Sequence, residues 1–118
     1  MAPVKLDLDI TRANLNDDSE LIRIIATVVI EDLPSLVSEL QAACVSHDRE
    51  RVRLVAHSIK GLGATFHAEP LMQFAETLER GYLELAQDEM EALAGQIESV
   101  QEGTILALTD AIAVLPSQ

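Results

Sequence analysis

In Arg51-Val52-Arg53-Leu54-Val55-Ala56-His57-Ser58-Ile59-Lys60-Gly61-Leu62-Gly63-Ala64-Thr65-Phe66, large apolar residues recur at steps of three and four, so the segment reads as an amphipathic helix. At roughly 100° per residue, Val52, Val55, Ile59, Leu62 and Phe66 fall within about 80° of one another and form the face expected to be buried. His57 lies about 180° from the centre of that stripe, with Arg53, Lys60, Gly61 and Ala64 around it. The histidine is therefore expected in water, among cations and small residues.

Working outward, Ser46-His47-Asp48 is too short for anything but an antiparallel return, and Asp48 suits the cap of the histidine helix, expected over residues 48–66. Upstream, Leu36, Val37, Leu40 and Cys44 carry an apolar face to about Val45. Before them, Leu21, Ile24, Ile25, Val28 and Val29 recur on what reads as one face, after a start at Asn16-Asp17-Asp18. Pro34 lacks a backbone donor, so this helix, over 19–45, is expected to kink or break near 32–34. Residues 1–8 read as an extended lead and Asp9-Ile10-Thr11-Arg12-Ala13 as a single helical turn.

Downstream, His67-Ala68-Glu69-Pro70 breaks the chain, with Pro70 suited to a first helical turn. Leu71, Phe74, Ala75, Leu78, Tyr82 and Leu85 predict a buried face over 70–85. Asp88 opens a last helix to 115, where Met90, Leu93, Ile97, Val100, Thr104, Ala107 or Leu108, Ala111 and Leu115 repeat at helical steps. Strand signals, repeats and linkers are absent. The expected architecture is all-α, one domain over 1–118: an antiparallel four-helix bundle with a short N-terminal helical segment.

Composition narrows the function. Hydrophobic residues make up 48% of the chain and aromatic residues 3%, which favours helix on helix. A formal net charge of −12 argues against general affinity for nucleic acid or an anionic membrane. Arg49, Arg51, Arg53 and Lys60 all lie in the histidine helix and predict a local positive island, although Arg49 and Arg53 are also placed to pair with neighbours such as Asp48 and Glu50. Cys44 is the only cysteine, expected to be buried and to fit a reducing compartment. With no leader-like start and no apolar run of bilayer length, a cytoplasmic protein is expected.

Imidazole is a neutral nucleophile near pH 7 that can attack phosphorus to give a phosphoramidate, and Lys60 one turn away could offset the added charge. At His57-Ser58-Ile59-Lys60-Gly61, with Ala64, Leu71, the Asp32-Leu33-Pro34 run and Leu78-Glu79-Arg80, the chain resembles the histidine-containing phosphotransfer (HPt) domain of multistep phosphorelays over essentially its whole length. That resemblance implies His57 as phosphoacceptor, Lys60 as its electrostatic companion, and Glu79 as the group that hydrogen-bonds and orients the ring. It implies receiver domains as partners, reaching His57 over Arg53, Gly61, Ala64 and His67. No cofactor is expected on this chain, Mg2+ being expected in the receiver's acidic pocket. The domain is expected to be a free-standing, monomeric shuttle without kinase activity. Two departures stand out: Leu62 replaces a small residue, on the buried stripe, and His67 replaces a glycine.

Other readings use the same residues. A zinc site from His47, His57 and His67 is opposed by geometry, since ten helical residues turn a side chain by about 280° and advance it about 15 Å. A dimerising histidine kinase domain usually has an acidic residue directly after its histidine, where this chain has Ser58. The remaining alternative is a scaffold that binds a protein through the Arg53 and Lys60 face without being phosphorylated.

Overall fold

The computed structural model describes residues 4–115. The extended lead expected over 1–8 thus lies partly outside the described residues. Five helices follow in order: α1 (Leu8–Asn14), α2 (Ser19–Val45), α3 (Arg49–Thr65), α4 (Glu69–Gly81) and α5 (Gln87–Ala113). There is no strand among the described residues. α3 packs against α2 and α4, and α5 closes the bundle against the same two helices. α2 and α5, of 27 residues each, outrun α3 and α4, of 17 and 13, and give the molecule its 48 Å long axis.

Local chemistry sets the ends of the helices. Asp7, Asp18 and Asp48 each accept a backbone N–H three residues on, at 3.1 Å, and so cap α1, α2 and α3. Glu89 accepts the N–H of Ala86 at 2.9 Å at the start of α5. Beyond α2, the N–H groups of His47 and Asp48 return to the carbonyls of Cys44 and Ala43; beyond α3, those of His67 and Ala68 return to Ala64 and Gly63. Both exits are Schellman motifs, with a histidine at the left-handed position: φ is 59° at His47 and 51° at His67.

Two cores are continuous along the bundle. The larger gathers Leu33, Val37 and Leu40 of α2, Val52, Val55 and Ile59 of α3, Leu71, Ala75 and Leu78 of α4, and Met90, Ala94 and Ile97 of α5. The smaller joins Ile22, Ala26 and Val29 of α2 to Phe66 and to Leu108 of α5. Cys44 is buried in the larger core, and that burial, with Glu91 nearby, pushes its thiol pKa up.

Three expectations change. α2 does not break near 32–34 but runs unbroken through Pro34, which lies on the exposed side. There the Ile30 carbonyl that loses its partner can be met by water. The N-terminal face of α2 is also rotated from the expected one: Ile22, Ala26 and Val29 face the core, whereas Leu21, Ile24 and Val28 are 38%, 53% and 43% exposed. Ala26 was the missing cue, because a small residue lets α5 approach closely and so sets which side turns inward. α4 ends at Gly81 instead of continuing to 85. Leu85 folds back over Gly81, where a Cβ would stand 2.9 Å from its Cγ, and Arg49 donates to the carbonyls of Tyr82 and Leu85 at 2.8 Å each.

Candidate functional site

His57 stands at the middle of α3, its side chain 66% exposed. The stripe opposite it is buried as expected at Val52, Val55, Ile59 and Phe66, with Leu62 half-buried. Buried Ala56 and Gly63 widen the buried arc toward α4. His57 and Lys60, three residues apart, share the side of α3 that flanks α4, and from α4 comes Glu79. Its Oε2 lies 2.5 Å from Nδ1 of His57 and its Oε1 lies 2.5 Å from Nζ of Lys60. One carboxylate thus bridges the ring and the ammonium.

The electrostatics follow from that bridge. Lys60 foremost, and His57 after it, hold the Glu79 carboxyl below the usual carboxylate range against the opposing effect of partial burial. An ionised carboxylate can only accept a hydrogen bond, so Nδ1 of the neutral ring carries the proton and Nε2 keeps the lone pair. The lone pair of the neutral ring therefore lies on Nε2, the nitrogen away from the carboxylate.

Around the ring the surface is low. Gly61 and Ala64 are exposed, and a Cβ added at Gly61 would meet no atom within 4 Å. The fold therefore makes no demand for glycine there. Beside them, Asp32, Ser35 and Leu36 of α2 and Ser58 and Leu62 of α3 line a shallow groove.

The positive island expected on α3 is not free charge. Arg51 pairs with Glu39, and Lys60 with Glu79. Arg53 pairs with Glu50 and lies 5.6 Å from the centroid of the Tyr82 ring. Arg49 does not pair with Asp48: it serves the backbone carbonyls after α4. Each cation is already engaged because the acidic chain surrounds it with carboxylates and turn carbonyls.

The three histidines have separate tasks. His47 meets Gln87 through Nδ1 at 3.0 Å, before α3, and His67 closes the other end of the same helix. His67, expected to contact a partner, takes the left-handed position that ends α3. A left-handed position after a helix favours glycine, which accounts for the glycine that the resemblance leads one to expect there. Beside it, an open cleft between residues 5–9 and the start of α4 is lined by Asp7, Asp9 and Glu69, with Lys5 and His67 among them.

Two contributors were not legible. Gly63 is buried where α3 meets α4: a Cβ there would stand 3.2 Å from Cγ of Met72 and 3.4 Å from Cδ2 of Leu71. That closeness brings Glu79 within reach of His57, and the glycine's inward position on the helical wheel was the available signal. Thr11 is buried, and its hydroxyl donates to the Thr65 carbonyl at 2.8 Å, while the Asp7 N–H donates to Phe66 at 3.1 Å. α1 therefore satisfies the C-terminal carbonyls of the histidine helix.

No helix among the described residues is long and apolar enough to cross a membrane. Comparison with curated proteins and with solved structures gave no match. The family model described as Hpt domain matches residues 25–103, a span that holds His57, Lys60, Gly61 and Glu79. With that match over more than half of its length, and a helical bundle to carry it, this chain belongs to the Hpt domain family.

Proposed function

We propose that this domain carries a phosphoryl group on Nε2 of His57, taking it from the phosphoaspartate of one receiver domain and giving it to the aspartate of another. Membership of the Hpt family gives the chain a phosphotransfer role in phosphorelay signalling. The observation that carries the finer reading is the exposed His57 ring with Glu79 on Nδ1, which leaves the lone pair of the neutral ring on the opposite nitrogen.

In the forward step, the Nε2 lone pair attacks phosphorus in line with the bond to the donor aspartate. The Nε2–P bond forms, the P–O bond breaks, and its electron pair leaves on the donor carboxylate. Nδ1 keeps its hydrogen, and Glu79 balances the positive charge that develops on the ring. Reversal of these changes with a second receiver discharges the domain. A magnesium ion in the receiver's acidic pocket would supply the charge neutralisation for the phosphoryl oxygens and the leaving carboxylate. What this chain supplies is a ring held at one angle on a rigid helix, with Gly61 and Ala64 keeping the approach open.

Incubation with a phosphorylated receiver tests this reading. Label is expected to move to the chain, to be lost in acid and retained in base, and to be absent from His57→Gln. A domain that binds receivers yet takes no label would instead be a scaffold.

A further inference from the structure

The spacing of His57 and Lys60 suggests a lysine that reaches forward to an incoming anion, but the structure turns it sideways. Its ammonium lies on Oε1 of Glu79, and the other oxygen of the same carboxylate lies on the ring. Lys60 and Glu79 are 31% and 19% exposed at their side chains, against 66% for His57, so the ion pair is the more sheltered part of the cluster. Shelter makes the pair costly to separate. If Lys60 left for a group on Nε2, Oε1 would lose its partner and an uncompensated carboxylate would face a dianion.

Resting on the phosphocarrier reading, we propose that Lys60 is a positioning residue that works through Glu79: its ammonium anchors the carboxylate against Nδ1 of His57, and the charge of the phosphoryl group is met by the visiting domain. Two anchors, one on each oxygen, fix the carboxylate plane, and the carboxylate in turn fixes the ring and its tautomer. With Lys60 removed, a single hydrogen bond to an exposed ring leaves the Glu79 side chain free to rotate toward water. Arg53, the other cation beside the ring, does not take over, being held by Glu50 and the Tyr82 ring.

A double-mutant cycle separates this role from direct contact with the phosphoryl group. Lys60→Met, Glu79→Gln and the double variant are compared with the parent for the rate of phosphoryl transfer from a phosphorylated receiver, with helical circular dichroism as the check on folding. Lys60→Met is expected to slow transfer about tenfold in the parent and less than about twofold in the Glu79→Gln background, where a neutral amide gives the ammonium no charge to anchor. Lys60→Arg, which can still hold a carboxylate, is expected to retain most of the rate.

The 15N shifts of the His57 ring give a second readout. Lys60→Met should move the ring from the Nδ1–H tautomer toward the mixture of a free imidazole in the parent, and leave it unchanged in Glu79→Gln. Equal slowing in both backgrounds, or a tautomer indifferent to Lys60, would overturn the proposal and put the ammonium on the phosphoryl group. If the parent takes no label from any receiver, the phosphocarrier reading falls, while the nitrogen shifts still decide whether Lys60 acts on His57 through Glu79.

Discussion

The two ends of this bundle are built to different tolerances. Around His57, four helices meet and residues from all of them, including Leu33, Val52, Ile59, Leu78, Met90 and Ile97, are fully buried. Toward the other end, α2 and α5 run on beyond α3 and α4, and the smaller core there is completed by Phe66. That end leaves Leu21, Ile24, Val28 and Leu106 substantially exposed. The Hpt family model spans 25–103, so it covers the four-helix end and omits α1, the first turns of α2 and the last turns of α5. The difference teaches where precision is required. A carboxylate must reach a ring across the α3–α4 interface, whereas the far end has only to hold the last turn of α3.

The comparison can be broken or sharpened by mutation, and the largest effect is expected at the site. His57→Gln should abolish acceptance of a phosphoryl group while the melting temperature stays within about 2 °C, because the side chain is mostly in water. A comparable loss of stability would mean that the ring is part of the core. Next comes Gly63→Val, which crowds Met72 and Leu71 and should cost about 1–3 kcal/mol in urea denaturation. It should also slow transfer by spreading α3 from α4; unaltered transfer would show that Glu79 does not depend on that spacing.

At the far end, Thr11→Val removes the donor to the Thr65 carbonyl and should cost about 1 kcal/mol, with faster amide exchange over the last turn of α3. Transfer by His57, two turns away, should change little. The smallest effect is expected at the junction of the two regions: His67→Gly relieves a left-handed residue and should stabilise the fold by roughly 0.5–1 kcal/mol. A loss of transfer in that variant would support the partner contact expected of His67 from the sequence.

Acid gives a further test of the tighter end. The Glu79 carboxyl titrates lower folded than unfolded, so its contribution to stability is present above about pH 4.3 and is lost as the pH falls through the lower folded value. Glu79→Gln should flatten the acid limb of the stability profile over that window. An unchanged limb would show that the carboxylate gains nothing from its two partners.

The same contrast explains what could be read from the chain. The histidine face was legible because α3 packs on both flanks and its apolar period is undisturbed: Val52, Val55 and Ile59 leave only one outward side. On α2 the period is ambiguous, since apolar residues occupy both sides near Leu21–Ile30 and only packing against Phe66 and α5 selects Ile22, Ala26 and Val29. Of the charges of α3, Arg53 was legible with its partner Glu50, at helical spacing, but Arg51 was not legible with Glu39, nor Lys60 with Glu79. Glu39, Glu50 and Glu79 approach Arg51, Arg53 and Lys60 from three helices, and two of those approaches exist only in the folded bundle. His67 was visible as a departure from glycine, but the left-handed backbone angle that makes glycine the favoured residue there is recorded by no side-chain pattern.

The most direct measurement is the site of the phosphorus–nitrogen bond, read by 31P and 15N NMR on domain charged by a phosphorylated receiver. The account predicts a single phosphoramidate on Nε2 of His57, with a proton retained on Nδ1 against Glu79. Phosphorus on Nδ1 of His57, or on His47 or His67, would contradict it.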